Sequence, residues 1–162
     1  MDIKNFSEWI NEQIYRGRPT QSYIKGVSNH DIIAATIIGE AGGESKEGMI
    51  AVKNVLSNRA KSRGSSIAGE ALRPKQFSMW NSATRGVSTK DDFNASSIQS
   101  IIDASKKHKN WTSALRIARG NQNDLTKGAY MYYAHNKIKP PYWTKDWTQT
   151  TVIGNHTFGK LS

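Results

Sequence analysis

The 162-residue chain contains no cysteine. Disulfides, thiolate metal sites and Cys–His nucleophilic catalysis are therefore excluded. No apolar run approaches the ~18 residues of a membrane-spanning helix. The opening stretch MDIKNFSEWINEQIYRGRP is broken by Glu8 and Glu12 where a secretory signal would carry an apolar region. There is no G-x-S-x-G nucleophile elbow and no H-E-x-x-H zinc motif. The histidines His30, His108, His135 and His156 are far apart, so a zinc site would have to be assembled from distant residues. The glycine-rich GEAGGE stretch lacks the lysine and hydroxyl residue of a phosphate-binding loop. No internal repeat or low-complexity tract is present. The length fits one domain with a single core, and no metal or organic cofactor is expected.

Acidic residues are scarce. Asp and Glu number 13 against 23 Lys and Arg, for a net charge of +10. Such a balance favours anionic partners: nucleic acid, an anionic membrane, or an anionic polymer such as bacterial cell wall. The densest basic cluster, Lys106, Lys107, His108 and Lys109, reads equally well as a solvated face or a binding patch. Five tryptophans suit stacking on nucleobases or on sugars and do not separate the two.

Apolar spacing predicts a mostly helical chain. Phe6, Trp9, Ile10 and Ile14 mark a short amphipathic helix over 6–16, ended by Gly17-Arg18-Pro19, that docks on the core or meets a membrane surface. Ser28-Asn29 caps a helix over about 30–41 and Ser45 another over about 46–62. Residues 63–94, rich in Gly, Ser, Arg and Asn, read as a long loop with one short helix near 66–72. Helices over 95–106 and 110–119 follow, the second with Trp111, Leu115 and Ala118 on one face. AYMYYA, 129–134, predicts a strand, with Tyr132 and Tyr133 on opposite faces. TTVIGNHTF, 150–158, predicts a hairpin turning at Gly154-Asn155.

Ile33, Ile37 and Glu40 fall at i, i+4 and i+7, so Glu40 shares a helix face with two isoleucines. A carboxyl among apolar groups loses solvation of its charged form and holds its proton to higher pH, as a general acid requires. Gly39, Gly42 and Gly43 remove side-chain bulk around it and would let a polymer approach. Glycoside cleavage commonly uses two carboxylates. Glu44, Glu47, Asp91, Asp92 and Asp124 are the candidate partners. Lytic transglycosylation needs only one: the acid protonates the bridging oxygen, then takes the proton of the sugar's own hydroxyl as an anhydro ring closes.

The stretch GEAGGESKEGMIAVKNVLSNRAKS resembles the signature of SleB-like cell-wall hydrolases, the spore-cortex-lytic enzymes and related phage lysins. The shared positions are Gly39, Glu40, Ala41, Gly43, Glu44, Asn58 and Arg59. QFS (76–78), WTSALRIARG with DLTKGAYMYYAH (111–135), Trp143 and VIGNHTFG (152–159) resemble further motifs of that family, in order. Where the family often has Arg between its Ala and Gly, this chain has Gly42.

The resemblance implies an α+β, lysozyme-like fold with a small antiparallel β element near the C-terminus. It implies cleavage of the N-acetylmuramic acid–N-acetylglucosamine bond of peptidoglycan, with Glu40 as catalytic acid and Glu44, Gln76, Phe77, Ser78, Thr126, Tyr132 and Tyr133 lining the glycan groove. Residues 1–28 are expected to form a helix and linker within the same domain as a catalytic region over 29–162. A leaderless basic lysin suits a phage endolysin, made in the host cytoplasm and released to the wall by a holin-type partner, working as a monomer without stable membrane insertion or nucleic acid. The alternatives are a hydrolytic muramidase with Glu44 or an Asp as second carboxylate, and a basic nucleic-acid-binding module without catalysis.

Overall fold

The computed structural model describes residues 22–161, so the amphipathic helix expected over 6–16 lies outside the described residues. Helix α1, Asn29–Ala41, is the axis of the fold. Its sequence is apolar almost all round, and Ile32, Ala34, Ala35 and Ile37 have no exposed surface. A helix of that kind has to be enclosed by other elements. α2 (Lys46–Arg63), α3 (Ile67–Ala71), α5 (Ala95–Ser105) and α6 (Trp111–Arg119) all pack against it. The Ser28 and Ser45 hydroxyls cap α1 and α2 by accepting from the Asp31 and Gly48 amides. Gly64, at φ +62°, ends α2 in the left-handed region where a side chain would be strained.

Residues 63–94 are more ordered than the loop their composition predicts. They form α3, a 3-10 turn at Ser78–Trp80, α4 (Asn81–Thr84) and a second 3-10 turn at Lys90–Asp92. The cause is three apolar anchors. Leu72, Phe77 and Trp80 are all buried, and the Trp80 indole N–H donates to the Thr36 hydroxyl inside α1 at 3.0 Å. Polar residues between anchors set the surface of this segment, not its freedom.

The sheet comprises β1 (Met131–Ala134), β2 (Trp147–Ile153) and β3 (His156–Leu161), in the order β1-β3-β2 and antiparallel throughout. Tyr132 lies opposite Phe158, and Ala134 opposite His156. Gly154, at φ +55°, makes the predicted turn, but the hairpin extends beyond 150–158 at both ends. The inner face, through Phe158, packs on Ala51 and Val55 of α2.

Asn58 couples α2 to the segment leading into β1. Its amide donates to Asp124 Oδ2 and to the Ala129 carbonyl, both at 3.0 Å. Asp124 in turn accepts from the Thr126 hydroxyl and amide and from the Gly128 amide. Burial pushes the Asp124 carboxyl up, but the bonds from Thr126, Asn58 and Gly128 outweigh it and hold it below the usual value. Asn58→Ala strips two donors from this turn and should cost about 2 kcal/mol. Urea denaturation of the variant reads that loss, and an unchanged midpoint would remove Asn58 from this role.

Candidate active site

Glu40 sits in the last turn of α1, half-buried, and its Oε2 accepts a hydrogen bond from the Tyr132 hydroxyl at 2.7 Å. Burial raises the Glu40 carboxyl above the usual value, against the Tyr132 hydrogen bond and the positive charges of Arg59 and Lys137, which lower it. The protonated form persists to higher pH than in a free glutamate, as general acid catalysis at neutral pH demands. No carboxylate is among the groups that shift Glu40. The Tyr132 hydroxyl is itself held in its neutral, donating form: burial first, then the neighbouring Glu40 charge, push its pKa well up.

Arg59, one residue beyond Asn58 on α2, ties three parts of the site together. Its Nε donates to the Tyr130 carbonyl at 2.6 Å, fixing the approach to β1. Its Nη1 donates to Gln76 Oε1 at 3.4 Å, and its guanidinium lies 5.5 Å from the Phe77 ring centroid. It was legible in the sequence as a motif position but not as the hub of the site. The available signal was a lone arginine at the end of an otherwise core-facing helix stripe.

The structure sorts the expected groove residues. Glu40 and Tyr132 are brought together. Gln76 and Ser78 are exposed on the neighbouring loop. Phe77 is not a groove residue here: at 3% exposure it is a core anchor beneath Arg59. Thr126 is fully buried and serves the Asp124 turn, so no glycan reaches it in this conformation. Tyr133 points to the sheet face opposite Tyr132, where it meets Trp143 and Trp147.

Glu44 turns away towards the hairpin. Its Oε1 accepts from the Asn155 amide at 3.1 Å and lies 4.0 Å from His156 Nδ1. A Cβ at Gly154 would come within 2.7 Å of Glu44 Oε2, so glycine in that turn also makes room for this carboxylate. His156 is buried against Tyr132, with ring centroids 5.2 Å apart. Burial lowers its pKa, the Glu44 charge opposing, so the imidazole is neutral near pH 7. Its position beside the tyrosine that bonds Glu40 was not legible in the sequence.

The glycines near Glu40 do not all clear space for a polymer. A Cβ at Gly39 would lie 2.3 Å from Met79 Sδ, so the loop after Gln76 already fills that space. At Gly42 a Cβ would lie 2.6 Å from the Ile38 carbonyl oxygen and 3.1 Å from His108 Nε2, and the Asn110 amide donates to the Gly42 carbonyl at 2.8 Å. Only Gly43 of the three faces open space. Among the described residues, no group of three His, Cys, Asp or Glu is arranged to hold a metal ion, and no helix is long and apolar enough to cross a membrane.

Comparison with known proteins follows the same lines. The catalytic domain of the germination-specific lytic transglycosylase SleB from Bacillus anthracis superposes with a TM-score of 0.53 at 22% identity, over 84% of this chain and 98% of that one. The catalytic domain of the Bacillus cereus SleB protein gives 0.50 at 24% identity, over 89% and 99%. At such identities the likeness establishes the fold, mostly helical with a small antiparallel sheet and lysozyme-like. No curated protein matches the chain. The model of the cell wall hydrolase family matches residues 43–159. That span takes in Glu44, Arg59, Tyr132 and the hairpin and starts just after Glu40. The chain belongs to the cell wall hydrolase family and is a cell-wall lytic enzyme.

Proposed function

We propose that this enzyme is a lytic transglycosylase that cleaves the N-acetylmuramic acid–N-acetylglucosamine bond with Glu40 as its one acid and base. The observation that carries this reading is the environment of Glu40: a half-buried carboxyl with raised pKa, held by a tyrosine hydroxyl and acted on by cations only. In the first step the protonated carboxyl gives its proton to the glycosidic oxygen and the bond breaks. In the second, the carboxylate takes the proton of the muramic acid's own primary hydroxyl as that oxygen closes on the anomeric carbon. The Tyr132 hydrogen bond and the Arg59 and Lys137 charges stabilise the ionised carboxylate between the steps. A hydrolytic muramidase would need a second carboxylate across the sugar. Glu44, the nearest in sequence, is engaged by Asn155.

Mass spectrometry of the soluble products from purified peptidoglycan separates the two. Muropeptides ending in anhydro-muramic acid, lighter by one water, are the expected result. Reducing-end muramic acid would replace this reading with hydrolysis. The endolysin role and the holin-type release partner belong to the same proposal. The net charge of +10 suits a wall-facing enzyme. The role predicts that cells producing the protein lyse promptly only when their inner membrane is permeabilised.

Tyr132→Phe tests the hydrogen bond. Losing a donor to the carboxylate removes a contribution that lowers the Glu40 pKa, so the pKa rises further. The alkaline limb of the pH–activity profile, where the acid loses its proton, should therefore move to higher pH. The maximal rate should fall roughly tenfold, the scale of one hydrogen bond to a charged group. A profile with an unmoved alkaline limb would show that Tyr132 does not control the acid.

A further inference from the structure

The two glutamates of GEAGGE stand four residues apart at the corner between α1 and α2, and the sheet holds both. Glu40 accepts from Tyr132 of β1, and Glu44 from Asn155 in the turn between β2 and β3. Both Glu44 oxygens face that turn. Oε1 takes the Asn155 amide at 3.1 Å and lies 4.0 Å from His156 Nδ1, while Oε2 would meet a Cβ at Gly154 within 2.7 Å. From the other side a Cβ at Gly48, in the first turn of α2, would come within 2.8 Å of Glu44 Cβ. Glycines on two elements thus make the niche for one side chain, which is left 16% exposed.

The turn in its place carries the surroundings of the tyrosine. β3 begins at His156, directly after Asn155, and pairs with β1 so that His156 lies opposite Ala134 and Phe158 opposite Tyr132. The Asn155 carbonyl accepts from the His135 amide at 3.0 Å, joining the turn to the end of β1. The Tyr132 ring meets two rings of β3: His156, at 5.2 Å and 83°, and Phe158, at 5.4 Å and 37°. Phe158 is fixed in the core. His156 is buried too, yet its Nδ1 has no hydrogen-bond partner among the described residues, and the carboxylate it faces is Glu44. A buried polar atom without a partner is uncommon. A phenylalanine would fill the same place without leaving one. A hydroxyl that must stay on a catalytic carboxyl needs its ring held by packing and by supporting polar contacts. Glu44, Asn155 and His156 supply that support at the hairpin end.

We propose that Glu44 is a positioning residue: through Asn155 and His156 it fixes the hairpin turn against the α1–α2 corner and so keeps the Tyr132 hydroxyl on Glu40. The effect on rate rests on the reading of Glu40 as the acid, but not on whether the product is anhydro or reducing. Glu44 is then neither a sugar ligand nor a second carboxylate.

The test reads Glu40 directly as well as through activity. In the full chain with glutamate labelled at its side-chain carboxyl carbon, the Glu40 NMR resonance is the one that Glu40→Gln removes. Glu44→Ala should raise the pH at which this resonance titrates by up to about one unit, part of the effect of losing one hydrogen bond to a charged group. On a soluble glycan oligomer it should lower kcat roughly three- to fivefold with KM unchanged. Glu44→Gln can still accept from Asn155 and should keep kcat within about twofold of the parent. A direct effect of the lost charge would lower the Glu40 titration instead, and would appear in Glu44→Gln as well. Adding Glu44→Ala to Tyr132→Phe should move neither quantity further, because the path runs through the hydroxyl. Arg59 and Lys137, which also act on Glu40, and His135 and Lys137, which act on His156, are present in both backgrounds and cancel in that comparison. Asn155 is exposed and not at positive φ, so Asn155→Ala repeats the test from the hairpin side if Glu44→Ala fails to fold. Three outcomes overturn the proposal. Glu40 titration and kcat at parent values in Glu44→Ala and Asn155→Ala would remove the link. A raised KM in Glu44→Ala and Glu44→Gln alike, with the titration unmoved, would return Glu44 to the groove as a sugar ligand. A full additional loss in the Tyr132→Phe background would make the contribution merely structural. A shifted Glu40 titration beside a Glu40→Gln variant that still solubilises peptidoglycan would leave the positioning standing and sink Glu40 as the acid.

Discussion

Glu40→Gln should lower the rate of peptidoglycan solubilisation by at least about 10³-fold, because in the proposed transglycosylase mechanism one carboxyl serves as both acid and base and an amide can do neither. The fold survives the change. Gln keeps the volume at the end of α1 and can still accept the Tyr132 hydrogen bond. The folded-state pKa of Glu40 is raised, so the folded chain holds this proton more tightly than the unfolded one. Stability from that group is present below the unfolded pKa and is lost as pH rises through the folded pKa. At neutral pH the ionised carboxyl is thus a cost, and Glu40→Gln should melt at the parent temperature or slightly above it. Turbidity clearing of a peptidoglycan suspension and a thermal melt read the two quantities side by side. Retention of more than about a tenth of the activity would move the acid to another residue, and a lowered melting temperature would make the activity loss uninformative. The parallel Glu44→Gln change should be far milder, since Glu44 bonds Asn155 at the hairpin turn.

The half-buried position of Glu40, the proposed acid, was legible because two signals coincide on it: helical register with Ile33 and Ile37, and its place in the GEAGGE motif. The helices α1, α2, α5 and α6 were legible to within a residue or so, since each carries a capping residue or a glycine stop and an apolar stripe. The ordering of residues 63–94 was not. Composition reports the polar majority, whereas three buried side chains, Leu72, Phe77 and Trp80, decide the path. Thr126 and Phe77 mislead for a related reason. A motif records which residue types recur together, and a buried threonine that shapes a turn recurs as faithfully as one that touches sugar. The split between Tyr132 and Tyr133 was legible in part. Strand alternation puts them on opposite faces, but which face meets Glu40 depends on β1 pairing with β3, a contact between segments far apart in sequence. Arg59 is the clearest omission from the expected site: its three partners, Tyr130, Gln76 and Phe77, come together only when β1 and the loop before Ser78 fold onto α2.

Arg73→Ala destabilises the protein more than Glu70→Gln, although Glu70 is the buried member of the pair. Glu70 has no exposed surface, and four donor atoms meet its carboxylate: Arg63 Nη1 at 2.7 Å, Arg73 Nη2 at 3.1 Å, Arg73 Nε at 3.4 Å and the Ser65 hydroxyl at 2.5 Å. The two arginine side chains remain 43% and 44% exposed. Removing the Glu70 charge lets both guanidiniums return to water, and Gln preserves the packing, for a cost of about 1–2 kcal/mol. Removing Arg73 leaves an ionised carboxylate in the interior with half its compensation gone, which costs about 3–5 kcal/mol. The same cluster fixes the start of the segment that carries Gln76 and Met79 to the active site, so Arg73→Ala should also lose activity through a raised KM. Acid pH separates charge from shape. Burial pushes the Glu70 carboxyl up, but the Ser65 and Arg73 hydrogen bonds and the Arg63 and Arg73 charges outweigh it and leave it below the ordinary value of 4.5. With a depressed pKa, the stability from this group is present above the unfolded value and is lost as pH falls through the folded one. The deficit of Arg73→Ala relative to the parent should therefore be full at neutral pH and shrink as the medium is acidified below 4.5. Urea unfolding at the two pH values measures it. A deficit that is the same at both, or a Glu70→Gln variant less stable than Arg73→Ala, would mean that packing, not charge, holds α3 against the end of α2.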